Sequence, residues 1–114
     1  MYSIRFFKDD TGKEPVREYI EVLPRNQQRK IGGYLQILSK NGPNLRRPYA
    51  DNLGHGLGLW ELRPGRHRIL YFFHKREIII LSHAFLKKTR EIPKEEIIIA
   101  FRRKQEIEGR YFNE

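Results

Sequence analysis

The 114-residue sequence contains no cysteine, and its apolar runs are short. Without cysteine there is no disulfide framework, no thiolate metal site and no cysteine nucleophile, so packing has to stabilise the fold. Apolar runs such as residues 69–73 and 78–81 are far below the roughly 20 residues that cross a bilayer. The first residues also lack the charged and apolar regions of a signal peptide. We therefore expect a cytoplasmic protein that has no membrane partner.

Negative charge is scarce as well. The sequence has 14 Asp and Glu against 23 Lys and Arg, which gives a formal net charge of +9. Residues 46–90 hold ten of the basic residues and three of the acidic ones, so most of the excess lies in this stretch. A concentrated positive field favours a polyanion such as RNA as the partner. The alternative is that these Lys and Arg side chains are solvated and keep strand ends soluble and edges unpaired.

The four histidines do not predict a metal site. They show no close pairing at ligand spacing, and His67 and His74 face opposite sides of any regular strand. The glycines at positions 54, 56 and 58 are not followed by the Lys-Ser/Thr pair of a phosphate-binding loop. We therefore expect neither a metal ion nor another cofactor.

Length and periodicity predict one α+β domain over residues 1–114, because a chain of this size has room for one modest core. The predicted order of elements is β-α-α-β-β-β-α. The short turns between the last three strands favour an antiparallel meander, which the N-terminal strand joins as an edge. The predicted strands are residues 2–7, 59–62, 67–74 and 77–85, and the predicted helices begin at Pro15, Pro24 and Pro93.

The remaining segments predict how the sheet is covered and where the elements end. Residues 44–58 are expected to form a loop, since proline and glycine interrupt any period there. The last two predicted strands are apolar at odd and even positions alike, which indicates helices on both sides of the sheet. Gly109 is expected to end the final helix.

Strand alternation places the charged residues of the second half in three pairs, each on one face of a strand. If the three faces coincide, the resulting cluster would be costly inside a core without an anionic ligand. We therefore expect it to line a cleft, below a loop that carries Arg46, Arg47 and Tyr49. The three pairs are Glu61 with Arg63, Arg66 with Arg68, and His83 with Lys87.

The predicted cluster has the groups that RNA cleavage by its own 2′-hydroxyl needs, without a metal ion. Such cleavage requires a base for the hydroxyl proton and cations on the phosphate as charge develops. Arg68 and Lys87 suit the phosphate role, since guanidinium binds two oxygens and ammonium supplies a point charge. Glu61 or His83 is the candidate base. In the alternative interpretation, Glu61 is the ion-pair partner of Arg63 or Arg68, and His83 is a structural histidine.

Four ordered motifs, at residues 59–63, 67–73, 83–89 and 93–97, give the chain a close resemblance to the phage-derived branch of the RelE/HigB toxin superfamily. The resemblance implies the compact RelE-like fold and cleavage of messenger RNA, usually on the translating ribosome. It also implies neutralisation by an antitoxin that often carries a helix-turn-helix domain, so that operator DNA is bound only through the antitoxin. Ile92 departs from the family pattern, in which Thr commonly precedes the proline, and it cannot cap the helix through a side-chain oxygen.

The resemblance also suggests roles for individual residues. Arg68 matches the strand arginine that contacts the scissile phosphate in such toxins, and Lys87 or Lys88 matches the basic residue after the last strand. Glu61 and Arg63 stand where relatives place other charged active-site residues, and their roles stay open. The residues that we expect to bind RNA around them are Arg46, Arg47, Tyr49, Arg66, Lys88 and Arg90.

Three functions are compatible with these observations. The first is a toxin that cleaves messenger RNA and thereby inhibits translation. The second is a non-catalytic module that binds RNA or the ribosome through the same basic face. The third is a degenerate toxin that acts mainly with its antitoxin in DNA-bound autoregulation. Mapping RNA ends after induction separates the first function from the other two.

Overall fold

The computed structural model describes residues 1–112, which form a five-stranded sheet and three α-helices. None of the helices in this part of the chain combines the length and apolarity needed to cross a membrane. The strands are β1 (Ser3–Phe6), β2 (Ala50–Asn52), β3 (Trp60–Leu62), β4 (His67–His74) and β5 (Ile78–Leu86), and the helices are α1 (Pro15–Glu21), α2 (Arg25–Asn41) and α3 (Lys94–Phe112).

The strand order across the sheet is β1-β5-β4-β3-β2. Strands β2 to β5 pair antiparallel, and β1 pairs parallel with β5 at the edge. This confirms the α+β class, the antiparallel meander and the N-terminal edge strand. The expectation of an unbroken loop over residues 44–58 is wrong, because Ala50–Asn52 forms β2. These residues have little strand propensity, and β2 exists through its pairing with β3.

Helices cover both faces of the sheet, as the continuous apolar pattern of β4 and β5 predicts. On one face, here called the α1–α2 face, Ile69 and Leu81 pack with Ile31 and Leu38 of α2. On the opposite face, here called the α3 face, alternate residues of the same strands pack against α3. These are Leu70, Phe72 and Ile80, in contact with Ala100 and Ile107.

A β-bulge changes the alternation in the middle of β5. Tyr71 pairs with Leu81 whereas Leu70 pairs with His83, so Ser82 is the extra residue. The Ser82 hydroxyl donates a hydrogen bond of 2.8 Å to the carbonyl of Ala100, which fixes the bulge to α3. Consecutive residues 82 and 83 therefore both contact α3.

The final helix continues past the glycine that was expected to end it. Helix α3 runs to Phe112, and Gly109 lies within it. A glycine inside a helix costs about 1 kcal/mol relative to alanine, which is too little to break a helix packed along the sheet. The predicted end at Gly109 is therefore wrong.

Candidate functional site

The strand register brings Glu61, Arg63 and Arg68 together on the α3 face. Glu61 pairs with Leu70, which packs in the α3 core, so the two side chains share that face. Arg63 and Arg68 adjoin the last pair of this register, Leu62 with Ile69, so alternation places both on the same face as Glu61. The alternation of β3 and of β4 therefore coincides, which the sequence alone left open. We call Glu61, Arg63 and Arg68 the cation cluster.

The cation cluster is buried and incompletely hydrogen-bonded. Glu61 is 4% exposed and Arg68 is 8% exposed. Arg63 Nη1 donates to Glu61 Oε1 in a close ion pair. Arg68 Nη1 donates to the carbonyl oxygens of Gly65 and His67, each at 2.8 Å. Among the buried side-chain atoms of residues 1–112, Glu61 Oε2 and Arg68 Nε have no hydrogen-bond partner, so the cluster contains an unpaired buried acceptor and an unpaired buried donor.

The cluster contains two guanidinium groups and one carboxylate, and the carboxylate is paired with Arg63. Burial lowers the pKa of Arg68, and the neighbouring charge of Arg63 lowers it further, while Glu61 acts in the opposite direction. Arginine nevertheless stays protonated in proteins, so the cluster keeps its positive charge at neutral pH. An excess buried cation is costly without a counter-charge. The site is therefore suited to an anion with two or more oxygens, such as a phosphodiester.

Further cations continue the cluster toward one end of the sheet. The Lys87 amide donates to the Arg66 carbonyl at 2.8 Å, which extends the β4–β5 ladder by one pair beyond His67 and Leu86. By alternation from Phe85, Lys87 lies on the same face as Arg68, whereas Arg66 lies in the turn before β4 and lines a cavity beside α2. Lys88 and Arg90 are exposed in the segment that follows β5. The predicted phosphate-binding residues Arg68 and Lys87 therefore lie on one face.

The loop before β2 lies on the other side of the cation cluster, at the β3 edge. Arg47 donates two hydrogen bonds to Asp51, of 2.9 and 2.8 Å, and these lower the pKa of that carboxyl. Arg46 donates to the carbonyls of Pro43 and Leu45 at 2.8 and 3.2 Å. Tyr49 accepts the Arg63 amide through its carbonyl at 2.9 Å. This loop therefore borders the cluster with one neutralised and one uncompensated arginine.

His83 lies apart from the cation cluster, underneath α3. Its Nε2 is 3.3 Å from a carboxylate oxygen of Glu96, and Arg103 Nη1 is 3.3 Å from its Nδ1. Its ring stacks on Phe85 at 5.7 Å between centroids. Burial lowers the pKa of His83, although Glu96 opposes this effect. In the register, Leu70 separates His83 from Glu61, so the structure does not bring both candidate bases to one point.

Sequence reasoning missed a hydrogen-bonded group on the α1–α2 face. The Tyr19 hydroxyl is 2.7 Å from His67 Nδ1, and Gln27 Oε1 is 2.8 Å from His67 Nε2. Because His67 and Arg68 are consecutive in β4, alternation points the His67 side chain to the α1–α2 face, opposite to Arg68. Its partners come from helices α1 and α2, and nothing local in the sequence identifies them.

Comparison with known proteins gives one family. The model of the family described as "Phage derived protein Gp49-like (DUF891)" matches residues 18–105, a span that includes the whole cation cluster, Lys87 and Lys88. No curated protein matches the chain.

Proposed function

The chain belongs to the Gp49-like family of phage-derived, toxin-like proteins, and from this premise we propose that it is the toxin of a type II toxin-antitoxin pair. As an endoribonuclease, it would cleave messenger RNA in the cytoplasm, on the translating ribosome, and thereby inhibit translation. Its proposed partners are the ribosome, messenger RNA and an antitoxin with a helix-turn-helix domain, which alone would bind operator DNA. The domain responsible is proposed to comprise residues 1–114.

The observation that carries this proposal is the cation cluster with its free donor. A phosphodiester placed on Arg63 and Arg68 would supply a counter-charge to the buried Arg68, whose Nε has no hydrogen-bond partner within residues 1–112. The same oxygens gain negative charge in the transition state of phosphoryl transfer. Preorganised cations stabilise that charge without reorganisation of solvent, which is the largest contribution in many enzymes.

The proposed reaction needs no metal ion or cofactor. The 2′-oxygen of one ribose forms a bond to phosphorus, and the bond to the 5′-oxygen of the next nucleotide breaks, leaving a cyclic phosphate and a 5′-hydroxyl. Glu61 Oε2 is the proposed acceptor of the 2′-hydroxyl proton, because it adjoins the guanidinium groups while His83 is held by Glu96 and Arg103. Lys87 is proposed to stabilise the departing 5′-oxygen, which then takes up a proton.

One observation favours a second candidate, the non-catalytic RNA-binding module. Arg63 occupies one oxygen of Glu61, and the Glu61 side chain is only 5% exposed. A carboxylate in this position anchors Arg63 well, and it reaches a ribose hydroxyl only after the substrate opens the site. The same cations would then bind RNA without cutting it.

Induction of the protein in a bacterial host, followed by mapping of RNA 5′ ends, tests both candidates. The wild-type chain is expected to arrest growth and to create new RNA ends. The double variant Arg68→Ala with Lys87→Ala is expected to lose about 10²-fold or more of the cleavage, since it removes charges that stabilise the transition state. Arg5→Ala with Lys8→Ala removes the same charge at the β1 edge and is expected to act as the wild type.

Each other outcome has a defined meaning once urea unfolding shows that the variants are folded. A folded Arg68→Ala, Lys87→Ala variant that stays fully toxic would show that the site is elsewhere. Growth arrest without new RNA ends would establish the binding module. A harmless wild-type chain that binds its antitoxin tightly would establish the degenerate toxin.

A further inference from the structure

A cavity lies on the opposite side of β4 from the cation cluster, between α2 and the turn that joins β3 to β4. Its volume is about 300 Å³, which is at the small end of ligand pockets. The cavity opens at the same end of the sheet as Arg66 and Lys87. The lining residues that matter for its chemistry are Gln27, Lys30, Pro64, Arg66, His67 and Leu86.

The cavity walls combine apolar surfaces with positive charge. Leu86 supplies apolar contact, since it is 42% exposed, which is high for a large apolar side chain, whereas Pro64 is fully buried and only closes the inner end of the cavity. Lys30 and Arg66 add two cations, and no carboxylate lines the cavity in the described part of the chain. A ligand suited to these walls has a flat, largely apolar part and an anionic group.

A chain of hydrogen bonds fixes one polar group at the cavity. His67 is 8% exposed, and burial, together with Arg68 and Lys30, lowers its pKa, so the ring is neutral at pH 7. With Gln27 Oε1 facing Nε2, the His67 Nε2–H donates to Gln27, and Nδ1 accepts the Tyr19 hydroxyl. The amide nitrogen of Gln27 then remains available as a donor in a defined orientation.

The cavity and the cation cluster are joined through consecutive residues of β4. His67 lines the cavity, and Arg68, the next residue, points to the α3 face. Arg66 lines the cavity while its carbonyl accepts the Lys87 amide beside the cluster. A single-stranded chain bound across this end of the sheet would therefore contact both places with neighbouring nucleotides.

We propose that this cavity binds the base of a ribonucleotide adjacent to the cleaved linkage, with the base packed against Leu86 and its edge accepting a hydrogen bond from Gln27. Lys30 and Arg66 bind the phosphate of the same nucleotide. The assignment deepens the proposed function and rests on it for the identity of the neighbouring linkage. Gln27 is thereby a residue that determines which nucleotide is accepted.

Binding of ribonucleoside monophosphates to the full chain tests the cavity independently of cleavage. In NMR titrations, the methyl signals of Leu86 and Ile31 are expected to shift with the nucleotides, and the four bases are expected to differ in affinity. Lys30→Ala and Gln27→Glu are each expected to weaken binding about tenfold. Lys30→Ala removes a charge-assisted hydrogen bond to the phosphate, and Gln27→Glu removes the amide donor to the base. Gln36→Glu, the same change at an exposed position of α2, is the matched control and is expected to bind as the wild type.

Ribose 5-phosphate is the probe that separates base recognition from phosphate binding. If it binds as tightly as the nucleotides, or if no nucleotide shifts the Leu86 and Ile31 signals, the cavity is not a base site and the inference is overturned. Equal binding by wild type and Gln27→Glu would also overturn the role of Gln27.

Sequencing of RNA ends then links the cavity to cleavage. Gln27→Glu is expected to change the nucleotide preference next to the cut, and Gln36→Glu is expected to retain it. Cleavage with an unchanged preference in Gln27→Glu leaves the proposed function in place and removes the inference. If nucleotides bind in the cavity but no RNA is cleaved, the base site is supported and the enzymatic proposal fails.

Discussion

The two faces of the sheet are built from alternate residues of the same strands, yet they differ in whether their unpaired buried polar groups carry a charge. On the α1–α2 face, both ring nitrogens of His67 have hydrogen-bond partners. The Tyr71 hydroxyl is buried and has no hydrogen-bond partner within residues 1–112. Burial raises the pKa of Tyr71, so this group stays neutral. On the α3 face, the atoms without partners in the same part of the chain include charged groups, Glu61 and Arg68.

This difference indicates which face evolved for packing and which for a ligand. A neutral hydroxyl without a partner costs about 1 to 3 kcal/mol, and a charged group costs more. Charged groups of that kind persist in a fold when a ligand completes them. The α1–α2 face is therefore expected to determine stability, and the cation cluster is expected to determine activity.

The largest expected effect on stability comes from the α1–α2 face. Leu38 is fully buried there, and Leu38→Ala is expected to lower the free energy of unfolding by about 2 to 5 kcal/mol. Arg68→Met is expected to leave stability unchanged or to raise it, because a buried cation beside Arg63 is replaced by an apolar chain. Urea unfolding of both variants measures the contrast. Equal losses in the two variants would make the cation cluster a structural element.

A smaller effect is expected inside the cation cluster itself. Glu61→Gln leaves Arg63 without its carboxylate, and we expect a loss of about 1 to 3 kcal/mol in the free energy of unfolding. Added phosphate is expected to restore part of the loss by taking the place of the carboxylate. Asp51→Asn is the control, since its ion pair with Arg47 is exposed and is worth at most about 1 kcal/mol. No recovery with phosphate would show that the cluster does not bind anions.

The smallest effect compares His67 and His83 by their response to acid. Both pKa values are lowered in the folded state, so the unfolded chain takes up protons first as the pH falls below the ordinary histidine pKa of about 6.5. Stability is therefore full above this pH and declines below it. Every cause lowers the pKa of His67, namely burial, Arg68 and Lys30, whereas at His83 the lowering by burial and Arg103 is opposed by Glu96.

Urea midpoints between pH 5 and pH 8 measure this comparison. His67→Gln is expected to remove more of the decline in acid than His83→Gln, with the wild type as the reference. If His83→Gln removes the larger part, the ion pair with Glu96 does not offset the burial of His83.

Local patterns in the sequence were sufficient for most of the fold. Strand β4 has the predicted bounds, His67–His74, because its apolar run is uninterrupted between turn residues. Prolines marked the beginnings of α1, α2 and α3 to within one residue. Strand β2 could not be predicted, since the residues Ala50–Asn52 form a strand only through the register with β3.

The candidate site was partly predictable for the same reason. Alternation gave the faces of Glu61, Arg63 and Arg68, and the structure supplied the register that makes those faces coincide. The position of His83 under α3 depends on the bulge at Ser82 and on Glu96 and Arg103 from a distant helix. Contacts of this kind arise from tertiary packing, which periodicity within one strand does not encode.

The parallel pairing of β1 with β5 has a consequence for how the protein forms during synthesis. Ser3 pairs with Ile78 and Phe6 pairs with Leu81, so β1 stays unpaired until β5 has been translated. Contacts between such distant segments form late, since a long loop must close first. Until then the nascent polypeptide exposes an unpaired strand edge, to which chaperones or other unfolded chains can bind. A chain with this topology completes its sheet only after β5 has been translated.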